Sequence, residues 1–192
     1  MKSSAVKYAI FATAWGDAGL LWTEKGVCGL CLPGPSRKEL AQRLRRDHPG
    51  AVLSDAREME PVVREVRAYF AGEKARFRAR LDLSWASPFA QSVYAALLRI
   101  PPGETRSYGE VARAAGKPAA SRAVGQANAA NRIPLIIPCH RVVCADGSLG
   151  GFSGPGGPRM KKRMLDLEKK CNRGASRPSI QPKKGGNEDA GL

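Results

Sequence analysis

Hydrophobic and polar positions alternate in short runs over the first part of the chain. Residues 6–32 alternate with a period of two and carry turn residues at Gly16-Asp17 and Lys25-Gly26, which predicts an antiparallel ribbon of strands. Residues 77–83, FRARLDL, alternate in the same way and are predicted to form a further strand.

Two helices are predicted between these strand segments. Ser36 suits the N-cap of a helix over about residues 37–47, and Pro61 opens a second helix that Gly72 ends. The apolar side chains at helical spacing are Leu40 and Leu44 on the first helix and Val62, Val63, Val66 and Phe70 on the second. Residues 1–84 are therefore predicted to form an α/β domain, an antiparallel sheet with helices.

Helical spacing dominates from Ser87 onward. The stretch SPFAQSVYAALLRIPPG predicts one helix, SYGEVARAAG a short second helix that ends at Gly116, and AASRAVGQANAA a third. Two short helices joined by a tight turn that contains glycine are typical of a helix-turn-helix. Residues 85–170 are therefore predicted to form a mainly α-helical domain.

The segment IIPCHRVV places a cysteine directly before a histidine, after an apolar run. Leu135-Ile136-Ile137 predicts a short buried strand that Pro138 stops, so Cys139 is expected where the chain leaves the core. A buried structural thiol explains this dipeptide as well, because free cysteine is among the most buried residue types.

The composition indicates one or two small domains in a chain of 192 residues, and its apolar runs are too short to span a membrane. The first residues lack a signal-peptide cleavage site, which predicts a cytoplasmic protein. Five cysteines are an odd set that argues against a disulfide framework. Residues 171–192 are rich in Gly, Pro, Ser, Lys and Asn, and a disordered tail is expected there.

The charge of the chain is strongly positive, with a formal net charge of +15. Residues 1–84, 85–170 and 171–192 carry +5, +8 and +2, so the excess is largest in the helical segment. Such an excess favours an anionic partner, most simply nucleic acid, although a basic surface that only keeps the protein soluble gives the same count.

The third predicted helix of that segment has almost no bulky side chains. Its small residues are Ala119, Ala120, Ser121, Ala123, Gly125, Ala127, Ala129 and Ala130. Glycine inside a helix costs about 1 kcal/mol relative to alanine, so Gly125 indicates a close approach. Either another helix or a nucleic-acid groove can require it, and Arg122 is the long cation placed to enter such a groove.

Four motifs, SYGEVA, SRAVGQAN, IPCHRVV and GFSGPGG, occur in this order, and together they resemble the O6-alkylguanine-DNA alkyltransferases, also called methylated-DNA–protein-cysteine methyltransferases. The resemblance is dense from about Ser87 to Glu168 and looser at VRAYFAGE and FRARLDL. It implies a ribonuclease H-like N-terminal domain, a winged-helix-like second domain, no cofactor, no metal and a monomer.

The resemblance also implies a reaction. Cys139 takes the alkyl group from O6 of guanine in double-stranded DNA once per molecule, with O4-alkylthymine left open as a second substrate. The fitting attacker is a thiolate of lowered pKa. His140 takes the thiol proton through a water, Glu168 orients the imidazole, and Asn131 supports the active-site turn. Tyr108 donates to N3 of the leaving base.

The remaining implied roles concern the extruded base and the DNA. The amide of Ser153 faces O6, and the carbonyls of Cys139 and Val142 accept from the guanine amino group. Arg122 fills the gap that the flipped nucleotide leaves in the stack. The surrounding residues, Ser121, Ala123 and Gly125, are implied to lie in the minor groove.

Two other readings and three further features accompany the resemblance. A protein that binds alkylguanine without repairing it would lack Cys139, and a Cys-His hydrolase would leave the basic helical segment unexplained.

Arg132 stands where a proline is more usual, which alters the local turn and adds charge near DNA. Cys28 and Cys31 form a CxxC, but strand alternation predicts opposite faces for the two thiols, which disfavours a zinc site. Cys144 is expected to be buried and inert.

Overall fold

The computed structural model of the protein describes residues 5–34 and 36–174. A four-stranded sheet has the order β3-β2-β1-β4, in which β1, β2 and β3 are antiparallel neighbours and β4 runs parallel to β1. The strands are β1 (Lys7–Thr13), β2 (Gly16–Thr23), β3 (Gly26–Cys31) and β4 (Val52–Leu53). The predicted antiparallel ribbon is confirmed, but its turns fall at residues 14–15 and 24–25, and Gly16 and Gly26 open the next strands with positive φ.

Both predicted helices of this part are confirmed, as α1 (Arg37–Asp47) and α2 (Glu60–Ala71), with a 3-10 turn at Ala56–Met59 before α2. Ser36 caps α1, and Gly72 ends α2 with a φ of 82°. Leu40 and Leu44 of α1 pack on one face of the sheet with Tyr8 and Leu21. The opposite face joins α2 and the later helices in one large core.

Residues 77–83 do not form the predicted strand. Within this segment Leu81 makes an isolated bridge with Val27, supported by hydrogen bonds of Val27 with the Arg80 carbonyl and the Asp82 amide. Further along the same strand, the Leu30 amide donates to the carbonyl of Arg132 at 2.8 Å. The edge of β3 therefore pairs with residues 80–82 at Val27 and with a distant turn at Leu30.

The helical segment contains α3 (Pro88–Leu97), α4 (Tyr108–Ala114), α5 (Ser121–Ala129) and α6 (Pro158–Gly174). Two short strands, β5 (Arg106–Ser107) and β6 (Val142–Val143), pair in parallel. Ser87 caps α3, and Ser107 forms a capping box with Glu110 at the start of α4. The three predicted helices are confirmed, and α4 and α5 pack against each other across a short turn.

Leu135-Ile136-Ile137 is buried as predicted but forms a turn instead of a strand. Leu135 has a φ of 77°, a conformation that side chains other than glycine rarely adopt. The Ile137 amide closes the turn by donating to the Ile133 carbonyl at 2.9 Å. A 3-10 turn at Cys139–Arg141 follows directly.

The helix α6 continues past Cys171, where the tail was expected to begin. The thiol of Cys171 donates to the carbonyl of Gly72 at 2.9 Å, which connects the end of α6 to the end of α2. The predicted disorder of residues 175–192 lies outside the described residues. Among the described helices, none is long and apolar enough to cross a membrane.

Cys28 and Cys31 pack on the same face, contrary to the prediction. A bulge interrupts the β2–β3 register: Leu21 pairs with Gly29 and Trp22 with Val27, so Cys28 is the extra residue. Both thiols therefore contact the cluster under α1. Burial raises the pKa of Cys28 to about 11 and also raises that of Cys31. Within the described residues, no three His, Cys, Asp or Glu side chains are grouped to hold a metal.

Candidate active site

Cys139 lies at a cavity of about 450 Å³ between α4, α5 and the loop before α6. The cavity is lined by Tyr108, Gly125, Asn128, Ala129, Cys139, Gly151, Phe152 and Ser153. Four residues that the sequence assigned to the site therefore meet around one space. Val142 is fully buried and is not among these lining residues.

Asn131 holds the turn that presents Cys139. Its Nδ2 donates to the Ile137 carbonyl at 3.0 Å, and its Oδ1 accepts from the Ile133 amide at 2.9 Å. The side chain thus bonds both ends of the Leu135 turn, which fixes the chain two residues before the cysteine. This is the position that the resemblance assigned to it.

Glu168 is a buried carboxylate with four neighbouring donors. Its Oε1 lies 2.8 Å from His140 Nε2 and 3.2 Å from the hydroxyl of Tyr69. Arg141 donates through Nε at 3.0 Å and through Nη2 at 2.8 Å, and the Gly103 amide donates at 2.8 Å. The carboxylate is therefore satisfied on both oxygens, as a buried charge must be.

These contacts determine the tautomer of His140. Burial raises the pKa of Glu168, but hydrogen bonds from His140 and Arg141 outweigh it and bring that pKa to about 2. Burial lowers the pKa of His140, so its imidazole is neutral near pH 7. An ionised carboxylate only accepts hydrogen bonds, so Nε2 carries the proton. His140 Nδ1 is then a bare acceptor, buried without a hydrogen-bond partner among the described residues.

Cys139 is a protonated thiol at rest, in contrast to the thiolate of lowered pKa that the sequence suggested. Burial raises its pKa, and the Asn131 side chain and the Lys161 ammonium oppose this only in part. The reason is the depth of the side chain, which is 4% exposed. Loss of the proton must therefore accompany the reaction.

Lys161 is a cation that the sequence analysis missed. Its side chain is fully buried, and its Nζ donates to the carbonyls of Val142, at 2.5 Å, and of Leu149. Burial lowers the pKa of this ammonium group, and the nearby cysteines Cys139 and Cys144 act in the opposite direction. In the sequence it looked like one more lysine of a basic run.

Tyr108 opens α4 and lines the cavity. Burial raises the pKa of this phenol, so it stays a hydrogen-bond donor. A side chain at Gly150, whose φ is 63°, would lie 3.2 Å from the Tyr108 hydroxyl and 3.3 Å from Cys144 Sγ. The glycine lets the loop approach the tyrosine. Cys144 itself is partly exposed, not buried as expected.

The residues assigned to DNA contact lie together on α5. Arg122 is exposed in its first turn, and Ser121, Ala123 and Gly125 are partly exposed. A Cβ at Gly125 would meet nothing closer than Tyr108 Cε1 at 3.9 Å, an ordinary contact. Packing against other protein atoms therefore does not require glycine there.

Three further site residues were not found from the sequence. Arg141 stands in the PCHR motif itself, and Tyr69 in the VRAYFAGE segment, but nothing in the chain order indicates that both reach Glu168. Asn128 lines the cavity, and its amide has no hydrogen-bond partner among the described residues.

The helical segment, and most of the chain, are similar to known proteins. The family described as "6-O-methylguanine DNA methyltransferase, DNA binding domain" matches residues 88–170. A methylated-DNA–protein-cysteine methyltransferase of Mycobacterium tuberculosis is 52% identical over 107 residues, which cover 56% of this chain and 63% of that protein. The alignment therefore spans less than two thirds of the mycobacterial relative.

Other relatives align over nearly their whole length. The protein of the same name from Methanosarcina acetivorans is 38% identical over 165 residues, which cover 85% of this chain and 99% of that protein. The crystal structure of Mycobacterium tuberculosis OGT in complex with DNA has a TM-score of 0.70 and 38% identity, with 86% of this chain and 94% of that chain covered.

Proposed function

The chain belongs to the methylated-DNA–protein-cysteine methyltransferase family, and we propose that it repairs DNA by moving the alkyl group of O6-alkylguanine onto its own Cys139. The observation that carries this is the order of groups behind one cavity: a thiol, then an imidazole with a bare nitrogen, then an ionised carboxylate. This order is that of an activated nucleophile.

The proton path follows from the tautomer of His140. The Cys139 thiol gives its proton to His140 Nδ1, through a water, while Sγ attacks the alkyl carbon of the substrate. The bond from that carbon to O6 breaks, and the electron pair leaves with the guanine. The imidazolium that forms is stabilised by Glu168, 2.8 Å from Nε2.

The leaving base needs a donor and a fixed orientation. Tyr108, a protonated phenol at the cavity wall, donates to N3 of the guanine, and the Ser153 amide faces O6. The carbonyls of Cys139 and Val142 accept from the amino group. The Val142 carbonyl already accepts from Lys161, and a carbonyl oxygen has a second lone pair for this bond.

The alkylated base must leave the duplex to reach this buried thiol. We infer that α5 lies in the minor groove, with Ser121, Ala123 and Gly125 against the DNA and Arg122 in the gap of the stack. The room around Gly125 supports this placement.

The proposal also includes the fold of each domain, the oligomeric state and the cellular location. Residues 1–84 are a ribonuclease H-like domain, which the sheet order β3-β2-β1-β4 supports, and residues 85–170 a winged-helix-like domain, which α4, α5 and the β5–β6 pair support. The protein acts as a monomer in the cytoplasm and joins the nucleoid when it binds DNA. Whether O4-alkylthymine is also a substrate is decided by the same cavity.

The deciding experiment is intact mass spectrometry after mixing with a duplex that contains O6-methylguanine. The expected result is one added methyl group per molecule, mapped to the Cys139 peptide, with product never exceeding protein. Cys139→Ala should gain nothing and still bind the lesion, while the control Cys144→Ala should react as the wild type does. Product in several-fold excess over protein would indicate a hydrolase instead, and lesion binding without a mass gain would indicate a non-catalytic binding protein.

A further inference from the structure

Arg132 is anchored at both its backbone and its side chain. Its carbonyl accepts from the Leu30 amide at 2.8 Å, which fixes it to β3. Its guanidinium lies over the ring of Trp85, 5.1 Å from the centroid. A guanidinium stacked on an aromatic face keeps its N–H groups at the edge, where they remain available to an acceptor.

The positive charge of Arg132 has no neutralising carboxylate in the described part of the chain. Some other exposed arginines are paired, since Arg43, Arg57 and Arg106 each lie within 4.0 Å of an aspartate or glutamate. No ion pair within residues 5–34 and 36–174 includes Arg132. An exposed, oriented and unneutralised guanidinium is suited to bind an anion.

Arg132 lies where a groove and a cleft meet at the end of α5. The groove, of about 330 Å³, runs between α5 and the start of α3, past Ala123 and Gln126. The cleft, of about 340 Å³, runs toward α1 and shares Ala129 and Ser153 with the cavity of Cys139. The guanidinium is therefore next to the small-residue helix but outside the cavity for the base.

The other charged groups of the cleft leave an excess of positive charge. Arg43 and Asp47 face it and lie 3.5 Å apart, so they largely offset each other. His48 also lines it, and burial together with the charge of Arg132 lowers the pKa of this imidazole, which is therefore neutral near pH 7. Arg132 contributes the charge that is left over.

We propose that Arg132 binds a backbone phosphate of the DNA strand that runs alongside α5, as a phosphate contact separate from the base cavity and from Arg122. The planar fork of the guanidinium fits two phosphate oxygens. A phosphate contact adds affinity and orientation but does not read the base, so Arg132 acts on the rate with duplex DNA and not on the chemical step. This inference rests on the proposed function.

The test is the salt dependence of single-turnover repair in four full-length proteins: wild type, Arg132→Ala, Arg132→Lys and Arg57→Ala. Arg57→Ala is the matched control, since it removes one exposed positive charge from the 3-10 turn that packs on α2 and β1. Each protein reacts with an O6-methylguanine duplex at several salt concentrations and with free O6-benzylguanine.

Arg132→Ala should repair the duplex several-fold more slowly at low salt. The slope of log rate against log salt should become shallower by about one, as expected when one phosphate contact is lost. Arg132→Lys should keep most of the slope, Arg57→Ala all of it, and the free base should react equally with all four.

An unchanged salt slope in Arg132→Ala would overturn the proposal. An equal loss on duplex and free base would overturn it too, because Arg132 would then act through the turn of Asn131. If the wild type gains no methyl group at all, the proposed function fails and this inference with it.

Discussion

Tyr69 of α2 donates its hydroxyl to Glu168 Oε1 at 3.2 Å, on the same oxygen that lies 2.8 Å from His140 Nε2. A residue from the first half of the chain thus contacts the carboxylate that orients the imidazole. The Phe70 ring packs edge-to-face on Tyr69 and at a tilt on Trp15, with centroids 5.2 Å apart in both pairs. The N-terminal part therefore supports the active site directly.

Tyr69→Phe should slow alkyl transfer without weakening DNA binding. The change removes one hydrogen bond to Glu168 and keeps the ring, so the loss in rate should be about two- to tenfold. Single-turnover kinetics with an O6-methylguanine duplex measures it. Tyr8→Phe, in the cluster under α1, is the control and should leave the rate unchanged. An unaltered rate in Tyr69→Phe would remove it from the positioning of His140.

Glu168→Gln should slow transfer and also destabilise the protein. The amide cannot balance the imidazolium that forms on His140, and it leaves the buried guanidinium of Arg141 without its carboxylate. Breaking one partner of a buried ion pair costs about 3–5 kcal/mol. Urea unfolding measures the stability and single-turnover kinetics the rate. Wild-type stability in this variant would show that Arg141 finds another acceptor.

The pKa of Glu168 predicts how stability depends on pH. Folding lowers this pKa from 4.5 to about 2, so the carboxylate stabilises the native state above the unfolded value. That contribution, about 3 kcal/mol, should disappear as the pH falls from 4.5 toward 2. The free energy of unfolding of the wild type should therefore fall more steeply over this range than that of Glu168→Gln. Parallel curves for the two proteins would contradict this assignment.

Local signals in the sequence were enough to predict the helices, because caps and apolar spacing lie within a few residues of one another. Ser36, Ser87 and Gly72 end or begin helices as expected. Contacts between distant parts of the chain were not predictable in this way. The bulge at Cys28 depends on the register with β2, and the single bridge that residues 77–83 form at Leu81 depends on where they meet β3.

In the candidate site, too, the local features could be predicted from the sequence and the long-range contacts could not. Cys139 and His140 are adjacent in the chain, and their motif indicated the chemistry, but the contact of Arg141 with Glu168 was not predicted. Tyr69 and Glu168 are 99 positions apart, so their hydrogen bond follows only from the packing of α2 on α6. The protonation state of Cys139 could not be predicted either, because it depends on the burial of the folded site.

Gly125→Ala should fold normally and repair duplex DNA poorly. The new methyl group has room inside the protein, with Tyr108 Cε1 at 3.9 Å, and alanine favours the helix by about 1 kcal/mol. In the proposed complex, however, it would hold the backbone of α5 away from the minor groove. Single-turnover rates with the duplex and with free O6-benzylguanine separate these effects, since only the duplex reaction should slow. Equal slowing of both reactions would place the effect in the cavity.

Asn128→Leu should make the protein more stable. Asn128 is only 8% exposed, and both polar atoms of its side chain are buried without a hydrogen-bond partner among the described residues. An unsatisfied buried polar group costs about 1–3 kcal/mol, and leucine has nearly the same shape without that cost. The matched control is Asn131→Leu, which breaks two formed hydrogen bonds and should lose stability. Urea unfolding of the three proteins should therefore rank Asn128→Leu above the wild type and Asn131→Leu below it. A loss of stability in Asn128→Leu would mean that the amide has a partner in the folded protein, such as a bound water.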